Sequence, residues 1–109
     1  MSKLKSDKYL KARGGRAKVL DIFCSSCDSY ILTYQKDGFG RLLRLYLNRI
    51  IAPSELERLQ HFAYQSTKTI EDLVCSSCDN KIGNPIRHHD NRFAYSLVTG
   101  SFYKKKHKE

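Results

Sequence analysis

Apolar and polar positions alternate with a period of two along much of the chain, a rhythm that predicts strands. Val19-Leu-Asp-Ile-Phe23 reads as a short strand running into a pair of cysteines. Tyr30 to Lys36 reads as a second strand, with Tyr30, Leu32 and Tyr34 sharing one face. Asp37-Gly-Phe-Gly40 carries turn chemistry and is expected to send the chain back antiparallel. The next stretch, Arg41 to Ile51, fits two templates. Leu43, Leu45 and Leu47 alternate as in a strand, whereas Leu43, Leu47, Ile50 and Ile51 would make a helical stripe. The preceding turn favours the strand. Pro53 ends it, and the capping-box spacing of Ser54 and Glu57 predicts a short helix from Glu55 to about His61. Thr69 to Val74 is expected to approach the second cysteine pair as a strand. Arg92 to Val98 alternates again, with Phe93, Tyr95 and Leu97 on one side. Thr99-Gly100 marks a bend, and Ser101 to Lys104 extends the sheet. The expected class is mainly β: a small, antiparallel, two-sheet domain with one short helix.

The strongest chemical signal is a near-repeat. Ile22-Phe-Cys-Ser-Ser-Cys-Asp-Ser-Tyr-Ile31 matches Leu73-Val-Cys-Ser-Ser-Cys-Asp-Asn-Lys-Ile82. The five residues CSSCD are identical, and nothing else in the chain repeats. A C-x-x-C turn presents two thiolates from one tight loop, and two such turns complete a tetrahedral zinc site. Loop amides can point at the sulfurs and stabilise their charge. The residue after the second cysteine commonly needs a positive φ. Here it is Asp28 or Asp79, a type that tolerates that region better than most. Cys24, Cys27, Cys75 and Cys78 are therefore the expected ligands of one structural Zn²⁺. A rubredoxin-like iron site or an iron–sulfur cluster uses the same ligand set. Two identical pairs suit a shared metal better than a thioredoxin-like redox pair. Four protein thiolates fill the zinc shell, so the site reads as a staple with no open position for catalysis.

At 109 residues, one domain with a thin core is expected, and a metal staple would help it. The opening Met1-Ser-Lys-Leu-Lys5 is basic with no apolar stretch behind it, so no signal peptide is expected. No run of residues is apolar and long enough for a membrane span. Four cysteines in a reducing, cytoplasmic setting point to metal rather than disulfides.

The net charge of +9 is concentrated at the ends: residues 1–18 carry +6, residues 101–109 carry +3, and residues 19–100 balance to zero. This predicts a flexible basic arm over 1–18, a zinc-binding β domain over 19–103 and a basic tail over 104–109. Such ends suit RNA, DNA or an acidic partner, with RNA or a ribonucleoprotein favoured. The candidate contacts are Lys3, Lys5, Lys8, Lys11, Arg13, Arg16, Lys18, Lys104, Lys105, Lys106 and Lys108. Solvated ends that only aid solubility would give the same composition. Exposed Tyr or Phe beside Arg41, Arg44, Arg49 or Arg92 could stack on bases, although core packing already explains aromatics that alternate in strands.

The remaining histidines carry less. His88 and His89, with Asp90, fall in a polar loop that suits solvent, or a second metal or phosphate contact. His61 falls at a helix end, where it would complement the dipole. No Ser-His-Asp order, Gly-rich phosphate loop or carboxylate pair stands out, so no catalytic residue is named.

Two C-x-x-C hairpins about fifty residues apart on an antiparallel β domain, with Ile82-Gly83 after the second, resemble the β-tent fold group. Its members include Yippee-like proteins, the cereblon ligand-binding domain and zinc-containing methionine sulfoxide reductases. The likeness covers roughly Val19 to Tyr103. It implies two sheets pinned at one end by zinc, in a ribbon-like arrangement, with a groove on a sheet face. Three features depart from it. No fifth cysteine exists for reductase chemistry, no tryptophan exists for a cereblon-type cage, and Gly83-Asn-Pro85 replaces the tryptophan segment of Yippee proteins. The resemblance therefore implies the fold and none of these activities. The expected function is a non-enzymatic zinc-stapled binding module. A protein–protein adaptor using the groove, and an enzyme or small-ligand receptor near His88 and His89, are the alternatives.

Overall fold

The computed structural model describes residues 5, 7–12, 14–62, 64–88 and 92–108. Two four-stranded antiparallel sheets share one core. The first has the order β4-β2-β1-β8, built from β1 (Ala17–Cys24), β2 (Tyr30–Asp37), β4 (Ile50–Ala52) and β8 (Phe102–Lys106). The second has the order β3-β7-β6-β5, built from β3 (Arg44–Tyr46), β5 (Leu73–Val74), β6 (Lys81–Arg87) and β7 (Phe93–Leu97). Leu20, Ile22, Leu32 and Tyr34 of the first sheet pack in one cluster with Leu45, Leu73, Ile82 and Tyr95 of the second. Two short helices, α1 (Lys8–Ala12) and α2 (Ser54–Glu57), lie outside the sheets.

The two-template stretch explains itself once its path is seen. Arg44–Tyr46 pairs with β7 in the second sheet, Leu47–Arg49 forms a 3₁₀ turn, and Ile50–Ala52 pairs with β2 in the first sheet. It is not one strand folded back on β2, as the turn chemistry suggested. The chain crosses between sheets here, so Leu45, Leu47 and Ile50 are buried while Leu43 is exposed. A strand followed by a tight helical turn satisfies neither pure period.

Three other expectations shift in detail. The capping box does not form: Pro53 is the N-cap, its carbonyl accepts from the amides of Leu56 and Glu57, and Ser54 already lies inside the helix. α2 continues as a 3₁₀ turn over Arg58–His61, where His61 Nε2 sits 3.3 Å from the Glu57 carboxylate. The approach to the second cysteine pair is a 3₁₀ turn at Thr67–Thr69 followed by a strand of only two residues. β8 runs to Lys106, beyond the expected edge of the sheet at Lys104.

A bulge also changes which residues of β2 share a face. Ile22 pairs with Leu32 but Phe23 pairs with Tyr30, so Ile31 is the extra residue. Leu32 and Tyr34 point into the core, whereas Tyr30 turns out beside Phe23 and is exposed. Passing a bulge exchanges the two faces of a strand. Gly83 of β6 has a steric reason: a Cβ there would lie 3.1 Å from both the Ser96 carbonyl oxygen and Tyr95 Cβ of β7.

A buried charge ties the segment before β1 to the sheets. Arg49 is fully buried, with Nε donating to Asp37 Oδ2 at 2.9 Å and the two terminal nitrogens donating to the Asp7 carboxylate at 3.0 and 2.6 Å. Gln35, also buried, exchanges hydrogen bonds with the backbone of Lys5 and donates to Asp37. Leu10 of α1 is buried. Part of the basic arm expected over residues 1–18 therefore contacts the domain through Lys5, Asp7 and Leu10.

The Arg49 guanidinium holds the Asp7 carboxyl down at about 2, below its ordinary 3.8. A carboxyl with a lower pKa folded than unfolded adds stability that is fully present above the unfolded value and fades as pH falls through the folded one. Asp7→Asn is expected to lower stability near neutral pH and to lose the part of the acid limb between about pH 4 and 2. Urea titrations of the two proteins across that range check it. Parallel stability curves would show that Asp7 contributes nothing to the acid limb.

Candidate metal centre

Each half of the near-repeat forms the tip of a hairpin, one in each sheet. Cys24 ends β1 and the chain re-enters the first sheet at Tyr30; Cys75 follows β5 and the chain re-enters the second at Lys81. The two knuckles have the same hydrogen bonds. The Cys24 amide donates to the Ser29 carbonyl at 2.8 Å and the Cys75 amide to that of Asn80 at 2.9 Å. The amides of Asp28 and Asp79 donate back to the carbonyls of Cys24 and Cys75, both at 2.8 Å. Asp28 and Asp79 each have a φ of 62°, the left-handed conformation that closes the turn. The equivalence extends to the strands: Leu73 pairs with Gly83 and Val74 with Lys81, leaving Ile82 bulged and buried just as Ile31 is. The repeated isoleucine is the bulge residue.

The knuckles meet tip to tip. The four sulfurs lie within 4.8 Å of one another, with Cys24 Sγ 3.6 Å from Cys78 Sγ and Cys27 Sγ 3.5 Å from Cys75 Sγ. Tetrahedral coordination with bonds of about 2.3 Å separates sulfurs by about 3.8 Å, so the cluster has the dimensions to hold one metal ion. Cys24 and Cys75 are buried, while Cys27 and Cys78 face solvent. Among the described residues, these four form the one group of metal-ligating side chains close enough to share an ion.

The electrostatics of the thiols point the same way. Burial opposes ionisation of Cys24, but the amides of Cys27 and Ser26 and the Asn80 side chain prevail, bringing the thiol down to about 6. The Ser29 hydroxyl and amide lower Cys27. The Asn80 amide favours the thiolate at Cys78, yet burial and the three other sulfurs push that thiol up to about 12. The first proton leaves this cluster readily and the last resists. A divalent cation removes that resistance by balancing thiolates that otherwise repel.

A surrounding shell fixes the cluster. Asn80 Nδ2 lies 3.6 Å from Cys24 Sγ of the opposite knuckle and donates to the Ser101 carbonyl at 3.3 Å. Ser25 holds the turn between β7 and β8 from the other side, donating from its amide to Ser101 and from its hydroxyl to Gly100. The sequence reading missed Asn80 and Ser101. One signal was present: position 80 is the first after CSSCD, and there the two copies differ, Ser29 against Asn80.

Other candidates are not gathered around this centre. Lys5 is engaged, donating from Nζ to the Asn48 carbonyl at 2.5 Å and to Gln60 Oε1. Lys8 lies over the Tyr9 ring and Arg16 over that of Phe39. Lys11, Lys18 and Lys108 are exposed, and Lys104, Lys105 and Lys106 form the exposed end of β8. Lys3, Arg13, His89 and Asp90 lie outside the described residues. His88 accepts or donates at 3.0 Å with the Tyr46 hydroxyl, away from the cysteines. Arg49, proposed from sequence as a neighbour of base-stacking rings, is enclosed by its two carboxylates and cannot reach a base. Among the described residues, no helix is long and apolar enough to cross a membrane.

A scan against protein-family models finds no match for this chain, and neither a search of curated proteins nor one of solved structures finds any.

Metal removal is expected to unfold the domain. Structural zinc in small peptides contributes about 10–16 kcal/mol, against a net stability of about 5–15 kcal/mol for a typical domain. Circular dichroism in a strong chelator checks this; a cooperative melt that survives complete demetallation would refute it. Asn80→Ala is expected to weaken metal affinity about 10-fold or more while leaving all four ligands in place. Competition with a chromophoric chelator reads that loss.

Proposed function

We propose that this chain is a non-enzymatic, zinc-stapled binding module of β-tent plan, working in a reducing cytoplasmic setting and engaging nucleic acid through its basic ends, with RNA or a ribonucleoprotein favoured. Zinc, rather than iron, is the metal proposed for the four thiolates, where it acts as a cross-link between the sheets. The resemblance supplies the β-tent plan, and a shell filled by four thiolates suits a staple better than a catalyst.

One observation carries the nucleic-acid reading. β1 and β8 are adjacent and antiparallel, with Leu20 opposite Lys106 and the His107 amide donating to Val19. Charge that stands about ninety residues apart in the sequence therefore converges along one edge of one sheet. Lys18, Lys104, Lys105, Lys106 and Lys108 are all exposed there, and none is ion-paired with a described residue. Lys105 Nζ lies over the rings of Phe23 and Tyr103, 5.6 and 5.9 Å from their centroids, giving the patch an aromatic border. A concentrated cationic edge beside aromatic faces suits a flexible, single-stranded polyanion.

A second reading has its own support. A groove of about 630 Å³ beside the second knuckle is lined by Leu56, Leu59, Tyr64 and Ile70, and its charged lining is Glu55, Glu71 and Asp72, the last paired with Lys81, against one cation, Arg58. Apolar walls with mostly acidic charge suit a peptide with basic residues, as in a protein–protein adaptor.

Binding to single-stranded RNA is expected to fall steeply with salt, and Lys104→Ala/Lys105→Ala/Lys106→Ala to reduce the log–log slope by up to about 3. Fluorescence anisotropy with a labelled oligonucleotide measures both. If a variant neutralised at both ends binds as tightly as the full chain, the ends are not the contact.

A further inference from the structure

A second cavity, lined by different residues from the groove, collects positive charge. It has a volume of about 290 Å³, near the lower limit of ligand pockets, and Arg41, Arg44, Arg92 and Lys36 all line it. Its one described carboxylate, Asp37, is already engaged by Arg49 and Gln35. Arg41 and Arg44 are in no ion pair with a described residue. Tyr34 and Tyr46 supply the aromatic wall.

Arg92 is held in an unusual way. Its guanidinium carbon lies 3.8 Å from the centroid of Tyr9 and 3.7 Å from that of Tyr46, clamped between two rings. One terminal nitrogen donates to Asn48 Oδ1 at 3.0 Å. Among the described residues no carboxylate meets this group, and its Nε is buried without a partner. Burial and the nearby Arg49 both act against its charge. Stacking fixes the plane of an arginine fork without consuming its donors, so an arginine held in this way is preorganised for an anion.

We propose that this cavity is a phosphate-binding site, in which Arg92, stacked between Tyr9 and Tyr46, and the guanidinium groups of Arg41 and Arg44 take the phosphate of a nucleotide or of a nucleic-acid strand. Guanidinium groups match phosphate oxygens in paired hydrogen bonds, and a desolvated wall strengthens each of them. The site adjoins both basic segments, since Tyr9 belongs to the arm and Arg41 also lines a cavity with Lys104, but it is argued from its own arginines and not from the role of the ends. A free phosphate ester and a backbone phosphate share this chemistry.

The test uses the full-length, zinc-loaded protein. Phosphorus NMR and calorimetry follow binding of pyrophosphate and adenosine monophosphate to the wild type and to Arg41→Ser/Arg44→Ser, whose exposed or half-exposed positions leave the fold intact. Arg92→Lys, which keeps the charge and loses the fork, is the second variant, with its melt compared to the wild type. Saturable binding that weakens at least 10-fold in the double variant, at an unchanged melting temperature, supports the site. Displacement of bound monophosphate by a short single-stranded RNA then assigns the pocket to strand phosphates; indifference to the RNA assigns it to small phosphate esters. Absence of saturable binding by both probes, or binding that is equal in wild type and double variant, overturns the proposal.

Discussion

The meeting of four sulfurs between two sheets is the constraint on which the rest depends. Each sheet has only four strands, several of them two or three residues long, and strands that short hold little on their own. The shared core joins the sheets through side chains from both. The knuckles bring them together a second time, through four sulfurs placed to hold one ion at the ends of the hairpins. Because thiolates repel one another, that end of the molecule is the least favourable place to bring the sheets together without a cation, and the most favourable with one.

The surrounding details follow from the need to hold two identical turns in mirror roles. A bulge at Ile31 and at Ile82 buries that isoleucine and leaves the residue before it, Tyr30 or Lys81, turned outward. A left-handed Asp closes each loop. Identity then gives way to difference: Asn80 reaches across to Cys24, while Ser29 serves its own knuckle's Cys27 at 3.2 Å. At the opposite end of the first sheet, Arg49 performs a comparable joining by charge, gathering Asp7 and Asp37 from segments far apart in the chain.

Much of this was legible in the sequence where a short motif sufficed. The clustering of the four cysteines, the positive φ of Asp28 and Asp79, and the strands β1, β2 and β7 could be read from spacing and alternation, because the motifs that set them are local. What could not be read is how segments choose their partners. Leu43 to Ile51 alternates yet belongs to two sheets, since the 3₁₀ turn at Leu47–Arg49 spends part of the pattern on a crossing. Tyr30 alternates with Leu32 yet faces outward, since a bulge is a property of pairing and not of one strand. Arg49 and Arg92 look alike as surface cations in sequence. Only the fold makes one a buried node between carboxylates and the other a guanidinium clamped between two rings.

The pairing of β1 with β8 has a consequence for the order of assembly. The hairpins β1–β2 and β5–β6 close over short loops, so each can form early and offer two sulfurs. The strand that completes the first sheet comes from beyond the second knuckle, and the Asp21–Lys105 register spans most of the chain. Contacts so distant in sequence are slow to find. With two sulfurs on each hairpin, a metal ion captured by both tips would act kinetically as well as energetically: it would fix the relative position of the sheets and shorten the search left to β8.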